Sequence, residues 1–178
     1  MKPKAIYTVG HSTRSATDFV ALLVSHGIRQ LGDVRTIPRS RHNPQFNSDT
    51  LARTLDEVGI RYVHLPALGG LRRTTPLSVN LGWRNESFRG YADYMQTDAF
   101  TAAVDELIAL ASSAQTAIMC AEAVPWRCHR SLIADALVVR GIEALEIVST
   151  TGTTPHTLTP FARVNGINLT YPPQGLPL

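Results

Sequence analysis

The stretch Thr116 to Leu137, TAIMCAEAVPWRCHRSLIADAL, constrains the fold more than any other part of the chain. Ala117, Ile118 and Met119 are apolar without alternation, the pattern of a strand buried on both faces in a parallel sheet. A turn holding Cys120, Glu122, Pro125 and Trp126 follows. A helix opened by Arg127, Cys128, His129 and Arg130 then carries Leu132, Ile133, Ala136, Leu137 and Val139 on to Gly141. A strand feeding a helix in this way is half of a parallel crossover. Open α/β sheets bind ligands at that junction, because the first N–H groups of the helix are unpaired and attract negative charge.

The rest of the chain repeats the unit. Ala5 to Val9 reads as a strand closed by Gly10-His11-Ser12-Thr13, and Ser15 with Asp18 makes a capping-box-like start for a helix running to Gly27. Arg29 to Val34 is a second strand. The segment Thr36 to Asn47 reads as a loop, after which Ser48 is expected to cap a helix bearing Leu51, Leu55 and Val58. Tyr62 to Leu65 is a third strand, and the irregular stretch Pro66 to Arg89 is long enough to be expected functional or mobile. Gly90 is expected to start a short helix, and Asp98 to start a longer one with Phe100, Val104, Leu107, Ile108 and Leu110 on one face. Leu145 to Val148 makes a fifth strand.

Strands alternating with helices predict an α/β fold with a mainly parallel five-stranded sheet in a three-layer α/β/α arrangement, Rossmann-like and doubly wound. A length of 178 residues with 44% hydrophobic content suits one domain over residues 1–178, with 150–178 as a surface-wrapping tail.

A net charge of +3 is too small to mark a nucleic-acid binder. Fifteen of the basic residues are Arg, the side chain suited to forked recognition of phosphate or carboxylate, although GC-rich coding produces the same bias. Two cysteines eight positions apart make no disulfide framework, there is no secretory leader, and no apolar run approaches the roughly 20 residues of a membrane span. The expectation is a cytoplasmic protein with reduced thiols and no membrane partner.

In a parallel sheet the C-terminal strand ends share one edge, which here gathers His11 and Ser12, Asp33 and Arg35, His64, and Cys120 and Glu122, with Cys128, His129 and Arg130 adjoining. Cys120 or Cys128 is the candidate nucleophile or redox thiol, His11 or His129 the proton-transfer partner, and Asp33 or Glu122 the orienting or general-acid carboxylate. Ser12, Arg35, Arg39, Arg41, Arg127 and Arg130 are candidates for binding an anionic substrate. Bland roles compete at several positions: Cys120 as a buried small hydrophobe, Asp33 with Arg35 as a mutual pair, His11 and Ser12 as helix caps, and His64 as a core histidine.

Named motifs largely fail. A phosphatase-type loop has five residues between Cys and Arg, whereas six separate Cys120 from Arg127. Cys120-Ala121-Glu122 imitates half of a zinc deaminase signature, but Cys128 follows too soon and no second downstream Cys exists. Cys120, Cys128, His129 and His11 suit zinc or iron chemically, in a spacing that matches no standard pattern. There is no Walker loop and no G-x-G-x-x-G, and the cofactor is left unknown.

With these residues in view, the chain resembles the domain of unknown function (DUF) family 488, through TVGHSTRSATDF, DVRTIPRSRHNPQFN, YVHLPALGG, FRGYADYM and MCAEAVPWRCHRSLIADAL. The resemblance covers nearly the whole chain. It implies a bacterial or archaeal cytosolic α/β protein and points to Gly10, His11, Ser12, Asp33, Arg35, Cys120, Glu122, Cys128, His129 and Arg130. It supplies no reaction, and associates some members loosely with nucleic-acid repair.

The leading expectation is a cysteine-dependent transferase or hydrolase acting on a phosphate- or carboxylate-bearing small molecule. A nucleic-acid binding or DNA-repair accessory protein is the second, with Arg39, Arg41, Arg72, Arg73, Arg84 and Arg89 on phosphates and Trp83 or Phe88 stacked on a base. A zinc- or iron-dependent enzyme is the third. Substrate identity and oligomeric state are left open.

Overall fold

The computed structural model describes residues 1–175. Five strands run parallel: β1 (Ala5–Gly10), β2 (Gln30–Asp33), β3 (Arg61–His64), β4 (Thr116–Cys120) and β5 (Glu143–Ile147). The sheet has six strands rather than five. β6 (Thr153–Pro155) returns antiparallel along β5, giving the order β3-β2-β4-β1-β5-β6. Thr-Thr-Pro shows neither an apolar run nor alternation, and its proline is tolerated only because the strand is an edge. β7 (Arg163–Asn165) and β8 (Asn168–Thr170) form a separate hairpin that turns at Gly166.

The helices are α1 (Ala16–Ser25), α2 (Ser48–Asp56), α3 (Glu86–Tyr94), α4 (Asp98–Ser113) and α5 (Arg130–Val138). Ser15 caps α1 by accepting from the Asp18 amide, which leaves His11 and Ser12 free of any capping role. Asn47, not Ser48, stands at the cap of α2, and its side chain makes no capping bond. The start of α3 precedes Gly90, because Asn85 accepts from the Ser87 and Phe88 amides and nucleates the turn earlier. The helix after β4 begins at Arg130 rather than Arg127. Pro125–Arg127 forms a short 3-10 turn, so Cys128 and His129 precede the helix.

Residues of β4 divide between two buried clusters. Ala117 and Met119 pack with Phe19, Leu22, Leu23, Leu51 and Leu55 of α1 and α2, whereas Ile118 and Cys120 pack with residues of α3, α4 and α5. Such alternation is what a strand buried on both faces requires. From β1 the chain crosses toward β2, and from β4 it crosses the other way, toward β5. The neighbouring ends of β1 and β4, where Gly10 pairs with Cys120, therefore flank the point at which the winding reverses.

The stretch 66–89 is tied down. The Asp93 carboxylate accepts from the Thr75 amide, the Ser78 hydroxyl and the Asn80 amide group. Asn80 in turn accepts from the Tyr171 amide, and the buried Tyr171 hydroxyl donates to Asp135 at 2.8 Å. Among the described residues no helix is long and apolar enough to cross a membrane.

Candidate functional site

The site is built where β4 stops. A Cβ on Gly10 would lie 1.7 Å from the Glu122 carbonyl oxygen, so only glycine lets the loop after Cys120 fold back across the end of β1. The amides of His11 and Ser12 hold it there, donating to the carbonyls of Cys120 (2.9 Å) and Ala121 (3.0 Å). To do so Ser12 adopts φ 51°, a left-handed conformation costing about 1 kcal/mol for a residue with a side chain.

Beneath this loop Arg130 is fully buried and makes the contacts that define the site. Its Nη1 donates to Cys120 Sγ and to the Glu122 carbonyl, both at 2.6 Å. Its Nη2 donates to Glu146 Oε1 at 2.7 Å, and Thr8 donates to the other Glu146 oxygen. Thr8, Glu146, Arg130 and Cys120 thus form a chain of contacts across β1, β5, α5 and β4.

Burial alone would push the Cys120 thiol up. A hydrogen bond from Cys128 together with the charge and hydrogen bond of Arg130 outweigh it, and the net shift is below the usual 9.0. Cys128 moves the opposite way, pushed far up by its hydrogen bond to Cys120 and by burial. Of the two, Cys120 is the thiol that ionises more readily, and Cys128 the one held protonated.

His129 stands beside them. Its Nε2 lies 2.9 Å from the Val34 carbonyl, which only accepts, so Nε2 carries the proton and Nδ1 offers its lone pair 3.5 Å from Cys128 Sγ. Burial lowers the His129 pKa to about 4 despite that carbonyl bond. The ring fits because residue 70 is glycine, where a Cβ would come within 2.6 Å of Nδ1.

Asp33 and Arg35 bind each other. Arg35 donates from Nε and Nη2 to the two Asp33 oxygens at 2.9 and 2.7 Å, and Tyr62 donates to Asp33 at 2.6 Å. His11 donates from Nδ1 to the Ser12 carbonyl at 2.7 Å, faces Arg35 Nη1 with Nε2 at 3.4 Å and stacks on Phe46. Burial, opposed by the Ser12 bond, lowers its pKa, so it is a neutral acceptor for Arg35.

A cavity of about 430 Å³ opens over Cys120, Cys128 and His129. Arg35, Arg39, Glu122 and Arg127 reach its walls, with Ile37, Leu71 and Phe88. Arg39 and Arg127 are exposed, and among the described residues neither enters an ion pair. Asp33, His11 and Ser12 act behind Arg35 and the loop rather than lining the cavity, and Arg41 is exposed away from it. His64 Nε2 donates to the Arg35 carbonyl at 2.8 Å.

The family model for the domain of unknown function DUF488 matches residues 15–137. The chain belongs to the DUF488 family. No curated protein and no solved structure matches it. The DUF488 match takes in Asp33, Arg35, Cys120, Cys128, His129 and Arg130, while Gly10 to Ser12 precede it and Glu146 follows it. Among the described residues no three His, Cys, Asp or Glu side chains are grouped to hold a metal ion.

Sequence reasoning missed Thr8, Glu146 and Phe46. The two on the sheet had a signal: a hydroxyl and a carboxylate interrupt the otherwise apolar strands AIYTVG and EALEI, and polar residues in such strands need partners. Phe46 lay in a segment read as loop.

Proposed function

We propose that this DUF488 protein is an enzyme that uses Cys120 as a nucleophile on a small anionic substrate, in a single α/β domain of three-layer, doubly wound form working in the cytoplasm. The observation that carries the proposal is the 2.6 Å contact between Arg130 Nη1 and Cys120 Sγ at the floor of a cavity with two arginines on its walls that, among the described residues, form no ion pair. A thiolate is the reactive form of cysteine, and a buried guanidinium that cannot lose its proton keeps it ionised. Arg39 and Arg127 offer forked donors to a phosphate or carboxylate entering from solvent. Transfer of a group onto the Cys120 sulfur is the reaction class that fits.

A nucleic-acid surface draws less support, because part of what it needs, Arg72, Arg89 and the Trp83 and Phe88 rings, is engaged within the fold. Arg72 lies over the Tyr94 ring and donates to the Gly69 carbonyl, Arg89 donates to the Trp83 carbonyl, and Trp83 stacks on Phe88.

Alkylation by iodoacetamide, followed by mass spectrometry on folded protein, tests the proposal. In Cys128→Ser the remaining Cys120 should react at neutral pH faster than the same thiol in unfolded chain, and inorganic phosphate should slow it. Cys120→Ser should leave Cys128 unlabelled. Equal rates in folded and unfolded Cys128→Ser would overturn the thiolate assignment.

A further inference from the structure

We infer that Cys120 and Cys128 act as one dithiol, and that the substrate is a low-molecular-weight disulfide bearing carboxylates, which the protein reduces as its own two sulfurs join. The inference rests on the reading of Cys120 as nucleophile and adds what the second cysteine and His129 do. Three placements carry it. Both cysteines line the same cavity, at 2% and 5% exposure. Arg130 touches both, with Nη1 on Cys120 Sγ at 2.6 Å and its backbone amide donating to Cys128 Sγ at 3.5 Å. A nitrogen lone pair at the floor, His129 Nδ1, is 3.5 Å from Cys128 Sγ.

That last placement separates disulfide exchange from hydrolysis. An acyl or phosphoryl group on Cys120 would need an activated water to release it, yet the base at the floor faces a second thiol. A thiol beside the nucleophile resolves the intermediate directly when that intermediate is bonded through sulfur. The steps balance. The Cys120 thiolate attacks one sulfur of the disulfide, forming a mixed disulfide and expelling the first product thiolate. Cys128 then yields its proton to His129 Nδ1, and its sulfur attacks Cys120 Sγ. The Cys120–substrate bond breaks, the second product thiolate leaves and takes up the proton, and the pair is now a disulfide. Two electrons have passed from the dithiol to the substrate. Arg39 and Arg127 hold the carboxylates while this happens.

Oxidised glutathione is the probe, added without oxygen to the fully reduced chain and followed by thiol titration and mass spectrometry. Wild type should lose both thiols, retain no glutathione and release two reduced glutathiones per chain. Cys128→Ser should trap one glutathione on Cys120, and Cys120→Ser should remain unmodified. His129→Asn should form the mixed disulfide at the normal rate but close it slowly. Replacing Arg39 and Arg127 together by Gln should slow exchange by about tenfold, the worth of one charge-assisted hydrogen bond, without slowing exchange with uncharged 2-hydroxyethyl disulfide.

A lasting mixed disulfide on wild type overturns the inference. So does retention of both thiols by wild type while Cys120 of Cys128→Ser still alkylates rapidly, an outcome that leaves the nucleophile standing. Failure of that alkylation as well removes the underlying reading.

Discussion

Arg130 is a residue whose role depends on depth. An arginine two positions after a cysteine invites a substrate-binding assignment, but with no exposed surface it serves the protein's own groups, Cys120 on one side and Glu146 on the other. Removing it should have two separable effects. Arg130→Gln withdraws the positive charge from Cys120, so the midpoint of the alkylation pH profile should move to higher pH. The same change strands the Glu146 carboxylate, and breaking a buried pair from one side costs about 3 kcal/mol. Pairing Arg130→Gln with Glu146→Gln should restore most of that stability in urea denaturation while the thiol profile stays shifted. Recovery of both together would mean that Arg130 acts on Cys120 only through the fold.

Among the elements, β1 and β4 matter most, because their register sets Gly10 against Cys120. Gly10→Ala puts a methyl group where the Glu122 carbonyl sits, and such overpacking costs on the order of 1–3 kcal/mol. A lower urea midpoint, with faster alkylation of both cysteines as the loop lifts, is the expected result. β4 and α4 were legible from local pattern, β4 as an unbroken apolar run and α4 as a helical stripe beginning at Asp98. Boundaries failed where a cap went unread, at Asn47 beside Ser48 and at Asn85 five residues ahead of Gly90, and where Pro125–Arg127 formed a 3-10 turn before the helix at Arg130. The strand-end cluster around Cys120 could be anticipated because a parallel sheet aligns its C-terminal ends. The meeting of Glu146 with Arg130 could not, since it depends on β5 lying next to β1, and no local pattern encodes which strands are neighbours.

For the molecule as a whole, the buried histidines make stability depend on pH. His129 titrates near 4 in the folded protein against 6.5 when free, and His11 is lowered in the same direction. The unfolded chain therefore binds more protons than the folded one between those values, so stability falls as pH drops from 6.5 toward 4, by up to about 3 kcal/mol for His129. Cys120, lowered from 9.0, contributes stability in full above that value and loses it as pH falls through its folded pKa. Cys128, raised, adds a cost above 9.0. Urea midpoints at pH about 7 and about 5 should differ clearly, and His129→Asn should narrow the difference.

The link from Thr8 to Glu146 joins residues 138 positions apart. Contacts of such separation close late, after much of the chain has left the ribosome. Arg130 and Cys128, which lower the Cys120 pKa, lie within ten residues of it, but the Arg130 guanidinium is fixed by Glu146, across the sheet on β5. Full acidity of Cys120 is therefore expected to require the seated β5 strand, so that a chain truncated before residue 143 should alkylate at position 120 like an ordinary thiol.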